Sequence, residues 1–235
     1  MRIYITTQPR SGTHWLHTLV RDILGYYNEK YFSAKISWTE QNIQDTVENL
    51  PDEKVYIFHL VDPAKIIKYI TPATDYVFSI TRDLKDILTS WYLLLKQSPG
   101  VKPRVEAWDI SKGGLTDREF VNEWVRDPPV AGLWYQSSKW KMYNNGYTHP
   151  NYMLLRYEEL HTDTLNQLKN ICSFLKISKT DTELNKIITD NSFDTISGTL
   201  EDEGKRPFFT RKGIVGDYLN FMDQDVIDLI NESIL

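Results

Sequence analysis

Apolar positions along this chain follow two rhythms, and their alternation predicts the architecture. Ile3 and Ile5 alternate with amphipathic neighbours and lead into β-branched Thr6 and Thr7, the signature of a strand. Trp15, Leu16, Leu19, Val20 and Ile23 then recur at helical spacing, which predicts a helix over about residues 12–25, ending near Gly25. The same change of period repeats. Apolar runs at 55–60, 76–80 and 152–157 predict three further strands. Helical patterns are predicted over 39–49, from Pro63 through Tyr69, and from Leu84 to Lys96. Further on they are predicted over 120–126, 132–145, 162–176, 180–190 and 223–234. Strands alternating with helices predict an α/β fold, a mostly parallel sheet flanked on both faces by helices, in a single domain over 1–235.

Two stretches break the rhythm. Residues 97–116 carry Pro99, Gly100, Pro103, Gly113 and Gly114 and read as a long mobile loop, part of a lid reaching to about residue 127. Residues 197–216 read as a second glycine-bearing loop, with Lys205, Arg206, Arg211 and Lys212. Residues 26–38 are rich in aromatics without clean periodicity, either lining a pocket or filling a loop into the core.

Composition narrows the function classes. A net charge of −5 argues against a protein that coats nucleic acid or anionic membrane, so an anionic ligand needs a local basic site. Cys172 is the only cysteine, which excludes a disulfide framework and a cysteine-based metal site; among Leu168, Ile171, Phe174 and Leu175 it reads as a small buried apolar residue. No run approaches a membrane span and no signal peptide is evident, which points to a cytoplasmic enzyme. The five histidines show no metal-ligand spacing, so no metal is expected.

The candidate chemistry sits where strands end. Between the first strand and helix, Pro9 stops the pairing and Ser11, Gly12 and Thr13 have no bulk. A tight loop opening a helix aims backbone N–H groups and the positive end of a helix dipole at one point, which suits a phosphate. Arg10 adds a cation. In open parallel sheets ligands bind outside the carboxyl ends of the strands, where His59, Arg82 and Tyr157 also fall. A triphosphate site of the Walker A type needs G-x-x-x-x-G-K-[ST]. Here Gln8 stands in place of the leading Gly and no Lys follows Gly12, which leaves a nucleotide kinase as the weaker reading.

Three motifs carry a resemblance. Residues 8–15, Gln-Pro-Arg-Ser-Gly-Thr-His-Trp, resemble the 5′-phosphosulfate loop P-K-S-G-T-T-W of the cytosolic-type sulfotransferases. Residues 80–92 resemble that family's 3′-phosphate motif, R-[ND]-x-K-D-x-x-x-S-x-Y, and residues 209–218 its R-K-G-x-x-G-D-W signature. Segments 132–136 and 155–160 lie in the expected order between them. The resemblance spans about residues 3–222 and implies a P-loop-like fold that binds 3′-phosphoadenosine-5′-phosphosulfate (PAPS) and releases adenosine 3′,5′-bisphosphate (PAP).

By matching position it implies that Arg10, Ser11, Gly12 and Thr13 hold the 5′-phosphosulfate end, with His14 beside them. It implies that Arg82, Ser90, Arg211, Lys212 and Gly213 bind the 3′-phosphate. Trp15, Tyr157 and Phe193 match adenine-contacting positions. His59 aligns with the histidine of the family's K-T-H-L-P segment and is the expected general base. No divalent metal is implied.

The departures matter. Arg10 replaces a lysine and stays charged, so it can stabilise but not protonate a leaving group. Ile57 stands where the family has a second lysine, and Lys54 falls at the wrong end of the strand. Tyr218 replaces a tryptophan. The family dimer motif K-x-x-x-T-V-x-x-x-E is absent, which leaves the oligomeric state open. The expected acceptor is a small molecule held by residues 26–38, His59 and the 97–127 segment. The acidic excess of that segment reads either as a preference for a cationic acceptor or as a solvated face. A nucleotide-binding module that has lost catalysis remains the alternative outside the enzymes.

Overall fold

In a computed structural model, the described residues are 1–26, 39–97, 102–129, 132–196 and 212–235. They form two compact units, Met1–Thr81 with Tyr143–Ile196, and Arg82–Met142 with Ser197–Leu235.

The first unit is built on a four-stranded parallel sheet in the order β2-β1-β3-β4. Its strands are β1 (Arg2–Thr7), β2 (Lys54–His59), β3 (Asp75–Thr81) and β4 (Tyr152–Arg156). Successive strand side chains point to opposite faces, so each strand feeds two cores. Ile3, Ile5, Ile57, Phe78, Ile80 and Leu155 pack on one face. There they meet α1 (Thr13–Leu24), α9 (Thr164–Leu175) and α10 (Asp181–Asp190), with α8 (Tyr157–Thr162) beside them. Tyr4, Tyr56, Phe58 and Val77 pack on the other against α2 (Glu40–Asn49) and α3 (Pro63–Ile67). The sheet is therefore covered on both faces, and β1, next to both β2 and β3, stands at the topological switch point.

Arg2 closes the far end of the sheet. Its Nη2 lies 2.6 Å from an Asp75 carboxylate oxygen, and its Nη1 donates to the Val47 carbonyl at 2.9 Å. This buried pair is satisfied on both sides, as a buried charge must be to avoid a large desolvation cost.

The second unit is helical among its described residues. It comprises α4 (Leu84–Gln97), α5 (Lys102–Ser111), α6 (Asp117–Arg126), most of α7 (Leu133–Tyr143), a 3-10 turn (Asp217–Asn220) and α11 (Gln224–Ile234). Leu88, Tyr92, Val105, Phe120, Trp124 and Val226 form its core.

Helix α5 corrects the reading of 97–116 as one long loop. Pro103 stands in the first turn, where a missing N–H costs no helical hydrogen bond. Val105 is fully buried and Trp108 stacks edge-on against Phe120 at 5.6 Å. Gly113 and Gly114, both at positive φ, follow the helix end. The prolines and glycines bracket a helix that tertiary packing holds in place. Residues 27–38, and 197–211 of the second expected loop, lie outside the described residues.

Candidate active site

The phosphate loop begins as a turn. Pro9 occupies its second position, Arg10 its third at φ 76°, and the Ser11 N–H donates to the Gln8 carbonyl at 3.3 Å. That is the pattern of a type II turn, whose third position favours glycine. Arginine in the left-handed region costs roughly 1–2 kcal/mol, which the surrounding structure must offset. The Ser11 hydroxyl is fully buried and donates to the Gln8 carbonyl at 2.7 Å. It also bonds the Thr7 hydroxyl, which in turn lies 3.2 Å from the Ile80 carbonyl on β3 and 3.4 Å from the Thr13 hydroxyl. The small hydroxyl side chains therefore tie the loop to two strand ends, and what the loop offers a ligand is mainly backbone.

Gly12 makes that possible. It caps α1 at φ 102°, and a Cβ there would lie 2.5 Å from Cδ2 of Tyr157. Tyr157 is thus the wall the loop rests on. It is buried in the first core, with Trp15 edge-on at 5.7 Å. No side chain caps α1 and its first turn holds no acidic residue. The first-turn N–H groups of a helix lack an intrahelical acceptor and leave its N-terminus electrostatically positive. That arrangement fits a phosphate or sulfate oxygen.

His59 is the last residue of β2, in register with Thr7 at the end of β1. Leu60 follows at φ 63° and donates its N–H to the Thr7 carbonyl at 2.9 Å, which fixes the chain just beyond the histidine. The Nδ1 atom of His59 is buried and has no hydrogen-bond partner among the described residues. Burial lowers the pKa of the ring, with the Thr7 backbone acting in the opposite sense, so the surroundings favour the neutral form of His59. Ile57 is fully buried and brings no cation, and Lys54 lies in strand register with Arg2 at the opposite end of the sheet. Elsewhere on α1, His14 and His17 stack at 6.5 Å, and burial with the neighbouring His14 pushes His17 down to about 3. Phe193 lies beyond α10, 37% exposed.

The second unit carries the other candidate anion site. Arg82 precedes α4 and is nearly buried. Its Nη2 donates to the Ile214 carbonyl at 2.6 Å and lies 3.3 Å from the Asp86 carboxylate. The Trp140 indole donates to the Arg82 carbonyl at 2.9 Å. Ser90 lies two turns along α4, with 4% of its surface exposed. Lys212 sits 3.6 Å from Asp217 and its ammonium 5.5 Å from the Phe221 ring, and Gly213 follows at φ 68°. Arg211 lies outside the described residues. Asp86 and Trp140 were not singled out from the sequence as site residues. For Asp86 the available signals were its i,i+4 spacing from Arg82 and the D of the R-[ND]-x-K-D motif, which falls on it.

A parallel sheet with a tight loop opening a helix after β1, lacking the triphosphate lysine, defines an α/β fold with a candidate phosphate loop of a non-Walker kind. Its family follows from comparison with known proteins. The sulfotransferase domain family matches residues 1–234, and this chain belongs to that family of PAPS-dependent enzymes.

Sulfotransferase 1B1 of Mus musculus is 25% identical over 93% of this chain and 76% of its own length. The 3-beta-hydroxysteroid sulfotransferase of Cavia porcellus is 24% identical over 90% of this chain and 75% of its own. A mouse sulfotransferase solved in complex with PAP superposes with a TM-score of 0.67 over 99% of this chain and 82% of its own, at 19% identity, and shares the fold. Among the described residues no group of three or more His, Cys, Asp or Glu could hold a metal ion, and no helix is long and apolar enough to cross a membrane.

Proposed function

We propose that this enzyme moves the sulfuryl group of PAPS onto a hydroxyl, in preference to an amine, of a small-molecule acceptor, with His59 as general base. The observation that carries the reading is the join of β1 to α1, an open helix N-terminus behind a strained turn, with a neutral histidine in register at the neighbouring strand end. When bound, PAPS supplies an electrophilic sulfur and a phosphate leaving group. His59 takes the acceptor proton on a ring nitrogen as the acceptor oxygen bonds to sulfur. The sulfur–oxygen bond to the bridging oxygen breaks, and PAP leaves with its electron pair. Arg10 and the first-turn N–H groups of α1 stabilise the charge that gathers on that oxygen. Arg10 does this as a fixed cation and not as an acid.

The 3′-phosphate is assigned to Arg82, Ser90, Arg211, Lys212 and Gly213, and adenine to Trp15, Tyr157 and Phe193, by matched position. Tyr157 is buried behind Gly12, so any contribution it makes comes through the loop it supports. The name of the guinea-pig relative supports a hydroxyl acceptor, and the bound PAP of the mouse structure supports the cofactor. The reading takes the chain as a single sulfotransferase domain acting in the cytoplasm.

The test is a PAPS-dependent acceptor screen read by mass spectrometry. Acceptors are expected to gain one SO3 group with stoichiometric release of PAP. Tight PAP binding with no transfer to a broad panel of phenols, alcohols and amines would overturn the enzymatic reading and leave a binding module.

A further inference from the structure

Asp86 is an almost completely buried carboxylate beside the second candidate anion site, with 1% of its surface exposed. A buried carboxylate is costly unless its oxygens are matched by donors. Among the described residues, its donors serve the same pair of structures. The Gly216 N–H donates to Oδ2 at 2.8 Å, and the Tyr218 N–H donates to Oδ1 at 3.1 Å. The Arg82 guanidinium lies 3.3 Å from Oδ2 and itself donates to the Ile214 carbonyl. One carboxylate on the first turn of α4 thus holds an arginine four residues earlier and a segment more than a hundred residues later. Gly216 at φ 77° lets the backbone turn its N–H toward Asp86.

We infer that Asp86 is a positioning residue that pins the 213–218 segment to Arg82, so that the arginine and the segment following Lys212 present to the 3′-phosphate as one preset unit. The inference rests on the sulfotransferase reading for its ligand, but the pin itself is a property of the free chain. Its sign separates it from a bystander charge. An acid beside a phosphate site repels the phosphate, so neutralising a bystander would tighten PAP binding. Removing a positioning group loosens the arginine and the segment together, which weakens binding although the net field becomes more favourable.

Three measurements on the full chain decide it. In the ligand-free wild type, amide exchange at Gly216 and Tyr218 is expected to be slowed by roughly tenfold or more relative to an unstructured chain. Exchange at the unstructured rate at both positions overturns the pin, whether or not any variant folds. Asp86→Asn keeps the shape and turns one acceptor into a donor. It is expected to speed exchange at these amides and to weaken PAP binding by roughly ten- to a hundredfold. Unchanged or tighter PAP binding overturns the inference. In turnover, Asp86→Asn is expected to raise KM for PAPS while largely keeping kcat at saturation, and a fall in kcat with KM unchanged overturns it. A wild type that binds no PAP would sink the sulfotransferase reading by itself, and amide exchange would still decide the pin.

Discussion

The two candidate anion sites are built from opposite materials. After β1 the groups the loop offers are mainly backbone, with the Arg10 side chain added to them. The hydroxyls of Thr7, Ser11 and Thr13 bond to one another and to the Gln8 and Ile80 carbonyls, Gly12 lies against the Tyr157 ring, and the helix dipole faces outward. Before α4 the candidate ligand group is a side chain. Arg82 is aimed by Asp86, the Ile214 carbonyl and Trp140. The backbone part of a site is preset by strand and helix geometry and is not deleted by trimming one side chain. A side-chain site concentrates its effect in one residue and depends on the groups that aim it. The first suits the reacting end of a cofactor, where geometry must be exact to a fraction of an ångström, and the second suits an anchoring phosphate.

The strongest test of this contrast is His59→Ala. It is expected to lower turnover by roughly 100- to 10,000-fold while leaving PAP affinity nearly unchanged, measured by initial rates and calorimetry. Because burial lowers the His59 pKa, the base stays unprotonated on the acid side of its ordinary value of 6.5. The acid limb of kcat/KM in the wild type is therefore expected below about pH 6.5 and should vanish from the residual activity of the variant. Full activity in His59→Ala, or loss of PAP binding, would remove the histidine from the role of base.

Arg82→Ala should do the reverse. It is expected to weaken PAP by roughly ten- to a hundredfold, as loss of charge-assisted hydrogen bonds does. Unchanged affinity would mean that the second unit does not anchor the 3′-phosphate, and the contrast between the two sites would collapse.

The contrast also explains what could be read from the sequence. The sheet was legible because each strand is a short apolar run and the core faces follow its period, as Ile3 and Ile5 on one face and Tyr4 on the other show. The first loop was legible because its logic is local, with small residues between a strand and a helix. Helix α5 was not, because Pro103, Gly113 and Gly114 read as breakers and the burial of Val105 that holds the helix comes from tertiary packing. The role of Asp86 was not, because its amide partners lie 130 and 132 residues away. The inward turn of the Ser11 hydroxyl was hidden for a related reason, since composition shows that a hydroxyl is present but not which way it points.

Gly12→Ala probes the backbone site directly. The new Cβ would lie 2.5 Å from Cδ2 of Tyr157, on a residue held at φ 102°. Loss of about 1–3 kcal/mol in urea unfolding is expected, together with weaker PAP binding as the loop shifts. A loss below about 0.5 kcal/mol, the range of ordinary surface substitutions, would mean that the loop is not seated on Tyr157 as described.

The smallest expected effect on stability is the most informative about Arg10. Its positive φ carries a strain of roughly 1–2 kcal/mol that glycine would relieve. Glycine also gains about 0.4–1 kcal/mol of freedom in the unfolded chain, so the net gain in stability for Arg10→Gly should be about 0.5–1 kcal/mol. Turnover should fall in the same variant if, as proposed, Arg10 supplies the cation beside the breaking sulfur–oxygen bond. Arg10→Lys keeps both the strain and the charge, and should stay within about 0.5 kcal/mol of wild type in unfolding. Opposite movement of stability and turnover in Arg10→Gly, with Arg10→Lys unmoved in stability, would mark the strained arginine as kept for its charge. If Arg10→Gly gained stability and lost no turnover, the first site would be backbone alone, and the contrast with Arg82 would be sharper still.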